Sequence, residues 1–326
     1  MASPLISVII PVCNVAPWLS ESLDSVIHQT YGRLEIMLID DGSTDGSRVI
    51  CDEYGQNDQR IKVVHRGHNG LSAARNAGLD RATGEIIVFL DADDVMVPNA
   101  IECVAKLMEE KASTSIIIFG SEDYDTGKAL SAPAEGTYDR IAALRSMTTR
   151  LGITGAIWTK AFRAHALQDI RFMEGHNYVD IPLFFRVLDR CSSACVISKR
   201  LVRYRKRAGS ITASNTPGNI NDCLEQKRWL YEYCLKYNTD SCLDDVIKTL
   251  ELGRINSMLC IYSTLYENKD SEAERVKISL RKELLRDIQG LNLRSKLAVA
   301  LFQISPMLFV MLYRASHAVR RMKCFH

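Results

Sequence analysis

The chain has 326 residues, 47% hydrophobic and 25% charged, enough to bury a sizeable core as one large domain or two. A formal net charge of +2, with no basic stripe interleaved with aromatics, excludes a global field built for nucleic acid. The cysteines scatter from Cys13 to Cys324 without a Cys-x-x-Cys pair, which argues against structural zinc and reads as reduced thiols in the cytosol.

The start, Met1-Ala2-Ser3-Pro4, lacks the basic region and cleavage site of a signal peptide. Strand and helix signals then alternate. Ile6 to Pro11 reads as a strand, Trp18 to Tyr31 as a helix, and Glu35 to Ile39 as a second strand. A helix over Ser43 to Tyr54, a strand over Ile61 to Val64, a helix over Ser72 to Ala82 and a strand over Glu85 to Leu90 follow. This order predicts an α/β fold with a mostly parallel sheet and helices on both faces. Ligands of such sheets sit off the carboxyl ends of the strands, where Pro11, Asp40, Asp41, Asp91 and Asp93 fall.

Ile116 to Gly120 adds a strand, and the pattern weakens from Ser121 to Ala143, where Gly127, Pro133 and Gly136 mark turns. Trp158 to Arg207 is mixed, and Asn219 to Gln289 reads as helical. Leu297 to Tyr313 carries no charge but is interrupted by Gln303, Ser305 and Pro306, and is flanked by Arg294, Lys296, Arg314, Arg320, Arg321 and Lys323. Such a segment suits an amphipathic stretch lying on anionic lipid, or one docked on protein.

Three segments carry chemistry. Phe89-Leu90-Asp91-Ala92-Asp93-Asp94 runs an apolar strand into a carboxylate cluster. Hard oxygen ligands there suit a divalent cation that keeps positions open for phosphate; the alternative is a solvated acidic turn. Asp40-Asp41-Gly42-Ser43-Thr44-Asp45 places a carboxylate where it can accept the ring N–H of uracil, or forms only a turn and helix cap. Gly70 to Gly78 is a small-residue helix in which Arg75 faces a diphosphate or ribose, or is a plain surface arginine. Trp158 is a sugar platform or a core tryptophan. His65 and His68 read as polar surface, and Cys191 with Cys195 as packing one turn apart on a helix.

These motifs, together with Ser7-Val8-Ile9-Ile10-Pro11-Val12-Cys13-Asn14 upstream, stand in the order and spacing of one family. The chain resembles the family 2 glycosyltransferases of the GT-A fold, and within them the bacterial branch that builds capsule, exopolysaccharide or O-antigen units. The resemblance continues through Ile157-Trp158-Thr159-Lys160, Asp180-Ile181-Pro182-Leu183 and Arg205 to Ile211. It implies a doubly wound mixed sheet over 1–215, with a nucleotide-binding half at 1–100 and an acceptor half at 101–215. A helical extension over 216–290 and a membrane-associating tail over 291–326 would follow.

The resemblance also implies roles. Pro11 would line the base pocket, Asp41 would bind uracil with Asp40 supporting it, and Arg75 would hold the nucleotide. Asp91 would contact ribose or metal, Asp93 would be the main ligand of Mn²⁺ or Mg²⁺, and Asp180 would be the catalytic base. Arg205, Arg207 and Ser210 would close over the diphosphate. The implied reaction is inverting sugar transfer from a UDP-sugar to a lipid-linked saccharide at the inner membrane face. Two residues depart from the family: Cys13 stands where tyrosine is usual, and Val179 where glutamate is. The second departure keeps open a non-catalytic nucleotide-sugar-binding subunit. A nucleotidyltransferase is disfavoured, because Val12 to Ala16 lacks its glycine-rich basic loop.

Overall fold

The computed structural model describes residues 3–207, 209–211 and 217–250, with Ala300, Phe302 and Ser305. The chain divides into two compact units, 1–208 and 209–326.

The first unit is built on β1 (Ile6–Val12), β2 (Leu34–Asp40), β3 (Ile61–His65) and β4 (Ile86–Phe89). They lie in the order β3-β2-β1-β4, all parallel, with Val8 opposite Ile36 on one side and Val88 on the other. Every residue of β1, β2 and β4 is buried, which is why these strands read as continuous apolar runs rather than alternating ones.

Beyond β4 the sheet becomes mixed. β9 (Lys160–Arg163) runs antiparallel to β4 and to β6 (Ile116–Asp123), and β10 (Ala194–Tyr204) is parallel to β6. The two-residue β5 (Val95–Met96) closes the edge against β10. Two short strands that the sequence did not signal, β7 (Ala129–Ser131) and β8 (Gly136–Tyr138), pair with β6 and β10.

Helices cover both faces. Val8, Ile10 and Val12 pack with Leu19, Leu23 and Val26 of α1 (Ala16–Ile27), Cys51 of α2 (Ser47–Asn57), and Ile101, Val104 and Met108 of α4 (Ala100–Glu110). Burying each large aliphatic side chain contributes about 1.5–3 kcal/mol. On the opposite face α3 (Leu71–Leu79) lies so close that a Cβ on Gly78 would come 2.4 Å from Ile9 Cγ2. The small-residue stripe of α3 is therefore a packing requirement. The short α5 (Arg140–Met147) and α6 (Asp180–Cys191) complete the unit.

Several boundaries differ from expectation for local reasons. α1 stops at Ile27, where Gln29 Nε2 turns back to the Ser25 carbonyl at 2.8 Å and to Val97 at 2.7 Å. α2 begins at Ser47, where the amides of Ser43 and of Ser47 itself bond the carboxylates of Asp40 and Asp45. Cys191 and Cys195 do not share a helix, since Ser192 at φ 65° ends α6 and Cys195 lies in β10.

In the second unit α7 (Pro217–Tyr237) buries Leu230, Tyr233 and Cys234, and Trp229 stacks on Tyr233 at 5.0 Å. The helical stretch expected beyond Leu250 and the tail over 291–326 lie outside the described residues, Ala300, Phe302 and Ser305 apart. Among the described residues no helix is long and apolar enough to cross a membrane.

Candidate active site

At the carboxyl ends of β1, β2 and β4 three groups of side chains gather. The first centres on Arg75, whose side chain is 3% exposed. Its Nη1 donates to Asp180 Oδ1 at 2.7 Å and its Nη2 to Asp91 Oδ1 at 2.8 Å. The guanidinium also lies 5.3 Å from the Phe172 ring centroid, and its Nε is buried with no hydrogen-bond partner among the described residues. Arg75 thus joins residues 16 and 105 positions away in the chain. Burial pushes Arg75 toward neutrality, but Asp180 and Asp91 outweigh it and leave the guanidinium more strongly protonated than usual. Asp180 opens α6, where a helix N-terminus favours a carboxylate, and its Oδ2 accepts from Ile157 N at 3.0 Å. Val179, in the position of the family's glutamate, is buried.

The second group follows β4. Burial pushes the Asp91 carboxyl up, and Arg75 only partly offsets burial and the repulsion from Asp93 and Asp180. Asp93 Oδ2 accepts from Arg207 Nε at 2.5 Å, and the Asp93 carbonyl from Arg205 Nε at 3.0 Å. Asp94 is fully buried; its Oδ1 accepts from Arg205 N at 2.8 Å, and its Oδ2 has no partner among the described residues. Burial, with Asp91 and Asp93 close by, holds its carboxyl well above the usual range. Arg205 itself lies 3.6 Å over the Tyr124 ring and pairs with Glu21, while Arg207 lies 4.8 Å over Trp18. Glu21, Trp18 and Tyr124 had no motif to announce them, because they act through contacts made only after folding.

The third group surrounds the end of β2. Asp40 is fully buried and accepts from Ser43 N at 3.0 Å. His65 bonds Asp40 through Nδ1 and Asp52 through Nε2, each at 2.8 Å. Two carboxylate partners require both ring nitrogens to donate, which is the imidazolium. Burial disfavours that cation, but Asp40 and Asp52 prevail and raise the His65 pKa. His65 is therefore no plain surface residue; no motif links it to Asp52, 13 positions earlier. The Asp41 carboxylate accepts from Gly70 N at 2.7 Å and Asn69 N at 3.1 Å, which ties it to the loop before α3. Gly42 adopts φ +73°, and a Cβ there would come 2.9 Å from His68 N. Cys13 Sγ lies 3.6 Å from His68 Nδ1 beside this loop, and burial, with Asp41 and Asp40 adding to it, keeps the group a thiol.

Pro11 is buried in β1 opposite Ile39. Trp158 is 9% exposed and stacks on Tyr204 at 5.4 Å, which leaves little ring face for a sugar. Ser210 falls in the second unit.

Among the described residues no three His, Cys, Asp or Glu side chains converge to hold a metal ion alone. The donor set nevertheless fits a hard divalent cation shared with phosphate. Burial, with the neighbouring carboxylates adding to it, raises the pKa of Asp91 and Asp94, and Asp94 leaves a carboxylate oxygen buried with no partner among the described residues. Mg²⁺-type ions commonly use one or two carboxylates plus substrate phosphates.

Residues 7–170 match the model of Glycosyl transferase family 2. The chain belongs to that family. The glycosyltransferase GlyG of Streptococcus pneumoniae is 27% identical over 306 residues, covering 90% of this chain and all of GlyG. The putative glycosyltransferase EpsH of Bacillus subtilis is 31% identical over 222 residues, 65% of this chain and 63% of EpsH. Among solved structures, the S. aureus TarS fragment 1-349 in complex with UDP-GlcNAc superposes with a TM-score of 0.66 at 20% identity, covering 93% of this chain and 92% of that one. The mannosyltransferase PcManGT from Pyrobaculum calidifontis, in complex with GDP-Man and Mn²⁺, gives 0.53 at 16% identity, covering 98% and 88%. This family 2 glycosyltransferase thus has the GT-A type of mixed α/β fold.

Proposed function

We propose that this glycosyltransferase moves a sugar from a UDP-sugar to a hydroxyl of a lipid-linked saccharide, with inversion, in the synthesis of a bacterial surface polysaccharide. The observation that carries the reading is the meeting of Asp180 and Asp91 on the two ends of one buried guanidinium. It sets a candidate base beside the acidic loop where a nucleotide diphosphate would leave.

Asp180 takes the proton from the acceptor hydroxyl as that oxygen attacks the anomeric carbon. Help of this kind is worth about 10²–10⁴-fold. Arg75 orients Asp180 through the Nη1–Oδ1 hydrogen bond. A divalent cation, Mn²⁺ or Mg²⁺, held by Asp93 and Asp91 would neutralise charge on the departing diphosphate. Asp41, braced by Asp40 and the Asn69–Gly70 amides, and Pro11 hold the base, and Arg205 and Arg207 belong to the segment over the diphosphate. Cys13 replaces a stacking ring with a small neutral thiol, so base affinity rests on hydrogen bonds more than on stacking. The UDP-GlcNAc and UDP bound to TarS support a UDP donor, and the Mn²⁺ of PcManGT supports the cation. The basic flanks of 297–313 support a peripheral site on the inner face of the membrane.

The test is UDP release from purified protein over a panel of UDP-sugars, with Mn²⁺ and with a chelator. Metal-dependent release with one sugar, accelerated by a lipid-linked acceptor, is expected. UDP binding without release under any of these conditions would favour the non-catalytic subunit that Val179 keeps in view.

A further inference from the structure

Lys160 has no part in the chemistry described so far, yet it is fully buried at the start of β9. A buried ammonium persists only where acceptors surround it. Its Nζ donates to the carbonyls of Thr154 at 2.7 Å and Ala156 at 2.8 Å, with Thr159 Oγ1 at 3.3 Å. The three donors of one ammonium thus meet three acceptors of a single turn, 154–159. The Phe184 ring of α6 lies 4.8 Å from the same nitrogen. Thr159 Oγ1 closes the turn on itself by donating to the Ala156 carbonyl at 2.8 Å.

The same peptide whose Ala156 carbonyl accepts from Lys160 supplies the Ile157 N–H that Asp180 Oδ2 accepts. The turn is also seated directly on the first turn of α6. A Cβ on Gly155 would come 2.5 Å from Ile181 Cγ1 and 2.9 Å from Cδ1, but 3.9 Å from Ile181 Cβ. Asp180 is therefore gripped from two sides, by Arg75 on Oδ1 and by this turn on Oδ2. Burial pushes Lys160 down to about 7 and Asp180 opposes that shift, while the Thr154 and Ala156 carbonyls favour the ammonium that donates to them.

We propose that Lys160 is a positioning residue, which rivets the 154–159 turn from inside so that Ile157 N–H holds the Asp180 carboxylate in one orientation. The inference rests on the reading of Asp180 as the base. It concerns no contact with either substrate: Lys160 acts through the turn, and Gly155 lets the turn sit against Ile181.

The experiment measures kcat, KM for the donor and UDP affinity for Lys160→Met, Gly155→Ala, Gly155→Ala with Ile181→Ala, and Asp180→Asn. A misplacement on the ångström scale can cost about 10²-fold in rate. Lys160→Met is expected to lose kcat on that scale with KM for the donor and UDP affinity unchanged. Gly155→Ala is expected to lose kcat in the same way, and removing the Ile181 side chain beyond Cβ is expected to restore it. If Lys160→Met does not fold, the Gly155 and Ile181 pair carries the test alone. Wild-type kcat in Lys160→Met and Gly155→Ala, with Asp180→Asn inactive, would overturn the inference and leave the base assignment standing. Loss of UDP affinity in parallel with kcat would also overturn it, since that marks a general structural role. Wild-type turnover in Asp180→Asn would overturn the base assignment, and the inference with it.

Discussion

Arg75 is buried between Asp91 and Asp180. It holds two carboxylates from distant segments, and its removal leaves both without their cation. Breaking a buried pair by deleting one partner costs about 3–5 kcal/mol. Arg75→Met should therefore lower the unfolding free energy, read from urea denaturation, by an amount on that scale. Adding Asp91→Asn should cost less than the two single changes summed, because the second change removes a charge the first has orphaned. Additive losses would mean that the pair is not coupled. The type of residue at this site was legible in Ser72-Ala73-Ala74-Arg75-Asn76-Ala77-Gly78, but the partnership was not. A sequence displays Arg75 and Asp180 as separate motifs, and only the approach of α6 to α3 joins them. The same holds for Arg207 and Asp93, and for His65, whose two carboxylates come from β2 and α2.

At the scale of elements, the site end of the sheet and its opposite end are held by different devices. At the amino end, Glu35 of β2 accepts from Ser7 of β1 and Lys62 of β3, and from Thr83 N and Oγ1 ahead of β4. Burial raises its pKa, but the bonds from Lys62, Ser7 and Thr83 outweigh burial and hold it at about 2, against 4.5 for a free side chain. A depressed carboxylate stabilises the fold above its unfolded pKa, and that stability fades as pH falls from 4.5 toward 2. Glu35→Gln should cost about 2–3 kcal/mol at pH 7, and the difference from the natural chain should vanish toward pH 2. Chemical denaturation across that range reads it, and a deficit independent of pH would contradict it. Strand and helix order was legible here because β1, β2 and β4 are continuous apolar runs between polar turns. β7 and β8 were not, since three partly exposed residues carry no period, and their pairing is imposed by β6 and β10.

For the molecule as a whole, family membership and fold set the reaction class. The uncharged stretch over 297–313, with basic residues on both flanks, predicts salt-sensitive binding of the full chain to vesicles containing anionic lipid. Binding equal on neutral and anionic vesicles would contradict that electrostatic account. Donor identity was not legible, because one hydroxyl's orientation is read by loops without a fixed motif. The reaction class was, because four motifs in register converge on one end of one sheet. The most direct test of the central claim is turnover by Asp180→Asn at saturating donor and acceptor, with UDP affinity measured on the same protein. A loss of about 10²–10⁴-fold in kcat with UDP affinity intact is the predicted result. Turnover at the wild-type rate would contradict the assignment of Asp180 as the base and the mechanism built on it.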